Sequence, residues 1–272
     1  MVESSMQEGA TPSLSRKWAL LVALSRHEIK RKYKETIFGA IWAVVVPLVI
    51  LAVYTVIFSE IFNAKWGGVP VAGKTDYAVL LFAGLIIYQI FAEAVNRAPS
   101  IILQNPNFVK KVVFPLEVLP AVPLASSLYG AIASLISFGL FFMLSSFKMS
   151  WAMLMIPVLL LPVVMFTLGL SYWLAAIGVY LKDTDQFTTL LTRVLQYLTP
   201  VLYPTTVFPE KIANVMRLNP LAVQIEEVRN ILVAGVWPRA GAQIYSLLIC
   251  SLVLVSGYAW FKRVSRGFAD AL

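Results

Sequence analysis

Residues Met149 to Leu181 read MSWAMLMIPVLLLPVVMFTLGLSYWLAAIGVYL, 33 residues without one charged side chain. A helix needs about 20 apolar residues to cross the hydrocarbon core of a bilayer. This run exceeds that length, with room for tilt or an interfacial end. Five more stretches flank it. Thr36 to Ser59, Tyr77 to Ala92, Leu119 to Phe147 and Ala240 to Phe261 are uncharged, while Phe187 to Thr206 is interrupted by Arg193 and Pro200. The reading is an all-α integral membrane protein with six transmembrane helices.

Composition agrees. Of 272 residues 59% are hydrophobic and 13% charged, and the mean hydropathy is +0.79. Soluble domains carry about 25% charged residues to cover their cores, so lipid is the solvent for much of this chain. The net charge of +8 does not point to nucleic acid, because Arg26, Lys30, Arg31, Lys32 and Lys34 stand directly before the first apolar run, where cationic flanks meet anionic lipid. The one cysteine, Cys250, can form no intrachain disulfide and leaves the redox compartment open. The first ten residues are polar and acidic, with no charged-then-apolar pattern of a signal peptide.

Six spans put both termini on one side, and the basic residues choose which. With the N-terminus inside, cytoplasmic segments hold Arg16, Lys17, Arg26, Lys30, Arg31, Lys32, Lys34, Arg97, Lys110, Lys111, Lys182, Lys262, Arg263 and Arg266. The outside holds Lys65, Lys74, Lys148, Lys211, Arg217, Arg229 and Arg239, four of them in one long segment that weighs less in the positive-inside bias. The expected placement is a bacterial cytoplasmic membrane protein with both termini in the cytoplasm. Residues 1–35 form the cytoplasmic N-terminus and an interfacial amphipathic helix, with Trp18, Leu21, Val22 and Ile29 opposite a basic face over Leu14 to Tyr33. Residues 36–272 form the membrane domain, with a cytoplasmic loop at 99–117 and an outer segment at 208–238. That outer segment is too apolar for a free loop and too polar to span, so it reads as a re-entrant or surface-lying helical pair.

One motif is rejected. Gly68-Val-Pro-Val-Ala-Gly73-Lys74-Thr75 fits the phosphate-binding pattern G-x-x-x-x-G-K-[ST]. That chemistry needs a strand before the loop and a helix N-terminus after it, and Pro70 removes one backbone donor. The match falls in a short outer loop, so the chain is expected to have no ATPase site of its own.

In the cytoplasmic loop, Asn107 can cap a short helix running to Phe114, where Pro115 stops it, with Val109, Val112 and Val113 on one face. Such a face wants a protein partner or folds back on the bundle. The stretch Lys110-Lys111-Val112-Val113-Phe114-Pro115-Leu116-Glu117-Val118-Leu119-Pro120 resembles the signature loop of permeases in ABC-type polysaccharide exporters, which export O-antigen, capsule or teichoic-acid polymers. The resemblance covers nearly the whole chain. Tyr33-Lys34-Glu35-Thr36-Ile37-Phe38-Gly39-Ala40-Ile41-Trp42 with Pro47-Leu48 resembles the start of that family's first span. Thr199-Pro200-Val201-Leu202-Tyr203-Pro204 resembles the break in its fifth, and Asn219-Pro220-Leu221 with Arg229-Asn230 and Gly235 resembles its outer segment. Lys182-Asp183 departs from the family's frequent Arg-Asp pair, which would lose any bidentate contact. The resemblance implies a homodimeric permease with two copies of a separate ABC ATPase subunit beneath it, ATP and Mg bound by that partner, and no cofactor or metal on this chain. It also implies that Asn107, Val109, Lys110, Lys111, Val112 and Phe114 form the coupling helix that meets the ATPase.

The candidate site residues follow. Tyr54, Phe58 and Phe62 lie at i, i+4 and i+8 and share a face. Packing or an interfacial aromatic belt accounts for such a row, as does a channel wall on which sugar rings slide. Tyr197 and Tyr203 in the fifth span share this weighing. Arg26, Lys30, Arg31 and Lys34 are candidates to hold the diphosphate of a polyprenyl-diphosphate-linked polysaccharide, but anchoring to anionic headgroups is the favoured reading. His27 reads as a solvated neighbour. Arg193 is the intramembrane polar candidate, while Glu226 and Glu227 read as a hydrated rim. An ion-coupled transporter would need mid-membrane carboxylates and two similar halves, and a membrane enzyme would need clustered carboxylates. The 14 Asp and Glu are scattered, which weighs against both; the resemblance implies export of lipid-linked polysaccharide first, with capsule, teichoic acid, lipid or drug as alternatives.

Overall fold

The computed structural model describes residues 13–33, 41–57, 74–110, 114–145, 147–205 and 208–271. Among these all regular structure is helical. The order is α1 (Leu14–Tyr33), α2 (Trp42–Thr55), α3 (Lys74–Arg97), the one-turn α4 (Pro106–Val109), α5 (Ala121–Met143), α6 (Ile156–Tyr180), α7 (Thr184–Leu198), α8 (Glu210–Met216), α9 (Pro220–Ala234), α10 (Ala240–Val264) and the short α11 (Phe268–Ala271). The expected N-terminal amphipathic helix has the bounds read from the sequence. Lys74 and Thr75 open α3, and no strand occurs among the described residues. The rest of the phosphate-loop pattern lies outside them.

Among the described residues four segments are long and apolar enough to cross a membrane: Asp76–Arg97, Leu116–Met143, Trp151–Tyr180 and Ala240–Ala271. The six-helix expectation is therefore met in four full-length helices. In the expected first span, the described helix α2 has 14 residues, about 21 Å at 1.5 Å per residue, and the segments on either side of it lie outside the described residues. The expected fifth span ends as a helix at Leu198, because Pro200 has no N–H to continue it and forces Thr199 into an extended conformation (ψ 138°).

The central helix is α3. In its window 83% of residues are buried, against 28%, 28% and 22% in the other three spans, so α3 is wrapped by protein while the others show most of their apolar surface outward. Phe82, Leu80, Leu81, Ile90 and Phe91 of α3 are fully buried. Local signals set the boundaries around it. Ser150 Oγ accepts from Ala152 N–H at 3.3 Å at the start of the turn that leads into α6. Asn219 caps α9 by accepting from Leu221 N–H at 3.0 Å, Pro220 occupies the first turn, and Gly235 ends the helix at φ +63°.

Helices α6 and α10 pack with their registers rising together: Trp173 stacks on Trp260 at 4.9 Å, Tyr172 meets Tyr258 edge-on, and Tyr180 meets Phe268. The two helices therefore run parallel, and the chain between them must return across the bundle. It does so through α7 and the extended segment after it. Small residues permit the close approach, as in membrane helix pairs generally. A Cβ at Gly257 would lie 2.2 Å from the Gly169 carbonyl oxygen. Gly257→Val should cost about 1–3 kcal/mol through overpacking and lower the thermal midpoint in detergent. Gly241→Ala, whose Cβ would meet nothing within 4 Å, should leave that midpoint unchanged.

Candidate functional site

The break after α7 is an irregular segment inside the bundle whose polar backbone is satisfied from several directions. Helix α7 is amphipathic in an inverted sense. Thr184, Thr188 and Thr192 are buried, while Phe187, Leu190, Leu191, Val194, Tyr197 and Leu198 are exposed. The threonine row faces α3, where Thr192 Oγ1 donates to Asn96 Oδ1 at 2.8 Å and the Tyr88 hydroxyl donates to the Thr192 carbonyl. Beyond Leu198 the chain turns sharply, with Val201 N–H on the Thr199 carbonyl at 2.6 Å.

Backbone groups without helical partners cannot sit in lipid, so protein must supply the donors. The buried Arg229 of α9 does most of this. Its guanidinium donates to the carbonyls of Pro200 and Val201 and, through Nε, to Leu80 of α3 at 2.9 Å. The Tyr77 hydroxyl donates to the Leu202 carbonyl at 3.1 Å, and Asn219 Nδ2 donates to Thr199 Oγ1 at 3.1 Å. Gly84 makes room: a Cβ there would lie 2.6 Å from Arg229 Nη2. Residues 208–238, expected to lie on the outer side, thus contain two helices, α8 and α9, of which α9 is mostly buried.

Sequence reasoning missed Arg229 as the brace: it stands among Gln224, Glu226, Glu227 and Asn230, and nothing local sets it apart from them. The rim reading of Glu226 and Glu227 is corrected. Glu227 is 1% exposed and pairs with Arg239 at 2.7 Å, and Glu226 accepts from Thr205. Both carboxylates hold chain segments together.

Of the aromatic candidates, Tyr54 is half-buried against the central core, Tyr197 is 64% exposed on the apolar face of α7, and Tyr203 stands beyond the break, edge-on to Phe208 at 4.9 Å. Phe58 and Phe62 lie outside the described residues. The structure thus separates Tyr197 from Tyr203, one on the helix and one past its end. Arg193 is exposed on the same side of α7 as Tyr197.

At the opposite, basic end of the bundle, α1 lies across the helix ends. Lys17 pairs with Glu117 before α5 at 2.7 Å, and eleven residues later Glu28 pairs with Arg97 at the end of α3. Hydrogen bonding to Glu117 raises the Lys17 ammonium above its usual range. Of the diphosphate candidates, Arg26 and Lys30 are exposed, Arg31 lies 3.4 Å from Glu28, and Lys34 is outside the described residues. Glu28, Arg31, Glu93 and Arg97 line a cleft of about 370 Å³, so Arg97, counted in the sequence only toward orientation, belongs with this cluster.

The loop after α3 departs from expectation in detail. Its helix is Pro106–Val109 with Asn105 in the cap position, rather than an Asn107-capped helix to Phe114. Pro106 sets the first turn, and Phe114 returns to stack on Phe108 at 4.4 Å. Phe108, Val109 and Phe114 pack against the core cluster that holds Tyr172 and Phe261, while Asn107 and Lys110 are exposed. Lys111 and Val112 lie outside the described residues. Among the described residues no cluster of three His, Cys, Asp or Glu side chains forms a metal site.

Known proteins share this chain's sequence over most of its length. The family model described as ABC-2 type transporter matches residues 19–233. The chain is 28% identical over 261 residues to an O-antigen export system permease protein of Klebsiella pneumoniae, covering 93% of this chain and 95% of that one. It is 25% identical over 255 residues to the protein of that name from Myxococcus xanthus, with the same coverage. It is 22% identical over 250 residues to the polysialic acid transport protein of Escherichia coli, covering 88% and 91%.

Proposed function

The chain belongs to the ABC-2 type transporter family, and from that premise we propose that it is the membrane permease of an ATP-driven exporter of bacterial surface polysaccharide. What carries this reading is the end-to-end similarity to O-antigen export permeases. The similarity to a polysialic acid transport protein widens the substrate class to capsule-like polymers. In this reading the substrate is a polysaccharide on a polyprenyl diphosphate, two copies of the chain form the conduit, and two separate ATPase subunits bind ATP and Mg. Both termini face the cytoplasm, which places the basic end of the bundle there. Arg26, Lys30, Arg31 and Lys34 with Arg97 meet the diphosphate, and Tyr54, Phe58, Phe62, Tyr197 and Tyr203 line the path. Arg193, also exposed on α7, faces the conduit.

The test is ATPase stimulation. The permease–ATPase complex in liposomes should hydrolyse ATP faster with purified lipid-linked glycan, and the permease alone should hydrolyse none. Stimulation by an ion gradient or by a small amphiphile, with none by glycan, would overturn the reading.

The coupling loop makes a second measurable claim. Phe108, Val109 and Phe114 are turned to the chain's own core, so the ATPase is met through exposed Asn107 and Lys110. Lys110→Glu reverses a charge at the contact, and rim-charge changes act mainly on encounter. Co-purification of the ATPase should fall several-fold, while insertion and melting of the permease stay unchanged. Unaltered co-purification would place the contact elsewhere.

A further inference from the structure

A cleft of about 690 Å³ opens between α1 and the basic end of the bundle, walled by Trp18, Leu21, Val118, Ala121, Tyr172 and Tyr258. That volume lies within the roughly 300–1,000 Å³ of ligand clefts. The walls offer little to a polar guest: the Tyr172 hydroxyl is already committed to the Glu117 carbonyl at 3.0 Å. The mouth is different. Lys17 stands in it, paired to Glu117, and Lys262 lies within electrostatic reach of the same carboxylate. Two cations against one carboxylate leave the mouth positive.

We infer that this cleft holds an acyl chain of an anionic phospholipid from the leaflet at the basic end, with the phosphate between Lys17 and Lys262. Three observations converge. Apolar walls under a cationic mouth match a lipid's two halves. Helix α1 exposes Leu14, Trp18 and Val22 at i, i+4 and i+8 while Arg16, Arg26 and Lys30 are also exposed, which is how a helix lies in an interface. The cleft also opens beside α5 and α10, whose surfaces are largely exposed and apolar, so lipid reaches it laterally. Such a lipid would wedge α1 on the bundle between its two ion pairs, Lys17–Glu117 and Glu28–Arg97. The inference stands apart from what the chain exports.

The probe is photoactivatable phosphatidylglycerol with a diazirine on the acyl chain, at low mole fraction in phosphatidylcholine nanodiscs containing the full chain. The labelled peptides are mapped and compared with those from photoactivatable phosphatidylcholine. Phosphatidylglycerol should label residues around Trp18 and Tyr258 in preference to phosphatidylcholine. Lys262→Gln, at an exposed position, should cut that labelling about fivefold, the factor one basic residue gives near an anionic surface. Labelling at exposed Leu248 and Leu252 of α10 should not change. Equal labelling by both lipids would overturn the inference. So would loss of labelling by both lipids when the ATPase is added, which marks a protein surface. Displacement by polyprenyl phosphate would also overturn it, assigning the cleft to transported substrate.

Discussion

Arg229→Met should abolish export and lower the thermal midpoint of the permease in detergent. The guanidinium supplies donors to the carbonyls of Pro200, Val201 and Leu80 in one buried position. Methionine fills a similar volume and donates to none of them. Each buried carbonyl left without a donor costs about 1–3 kcal/mol. Removing the buried charge returns part of this, so the melting loss falls short of the summed figure. The conformational loss does not shrink in the same way, because the break is held to α3 and α9 by these contacts. Arg229→Lys, with a point charge in place of a fork, should retain partial export. Gly84→Val, which takes the space of Nη2, should reproduce the Arg229→Met phenotype from the other side of the contact. Tyr77→Phe removes a single hydroxyl and should be milder. Export at the unaltered rate by Arg229→Met would show that the break holds its shape without the brace.

Apolar run length made the long helices legible. Leu119 to Phe147 and Met149 to Leu181 contain α5 and α6 because lipid demands an uncharged stretch of fixed length and little else does. Pro200 and Asn219-Pro220 were legible for a related reason: caps and breaks act within a few residues of chain. The coupling loop shows where that logic stops. Spacing put Val109 on an apolar face, but the face it covers belongs to residues such as Tyr172, Ala176 and Phe261, far away in sequence. Glu227 and Arg239, or Glu28 and Arg97, look like scattered charges until the fold brings each pair together. Periodicity states which residues share a face; only packing states what that face meets. Arg229 was hidden for the same reason, since its three acceptors come from two other segments.

Truncating two or three of the rings at Tyr54, Phe58 and Phe62 to alanine should nearly abolish export without loss of assembly, whereas truncating any single ring should slow it modestly. The expectation comes from how a wall must hold a sliding polymer. Tight binding at one ring would stall the chain, so the wall needs several weak, repeated contacts. Stacking supplies these at about 1–3 kcal/mol each, by analogy with base stacking on aromatic side chains. Tyr54 sits half-buried at the edge of the central core, and the i, i+4, i+8 spacing of the sequence predicts that Phe58 and Phe62 share its face. In the proposed reading Tyr197, on the exposed apolar face of α7, and Tyr203, against Phe208 past the break, would line the other wall. Because α7 buries its threonines and exposes its apolar row, that row meets either lipid or a second copy of the chain. Reagent access decides between them. In a Cys250→Ser background, Phe58→Cys and Tyr197→Cys should react with a water-soluble thiol reagent when the exporter is energised, and Leu248→Cys on α10 should not. Labelling of both positions by lipid-phase probes alone, in every nucleotide state, would turn the stripe and the α7 row to the bilayer and remove the aromatic wall from the mechanism.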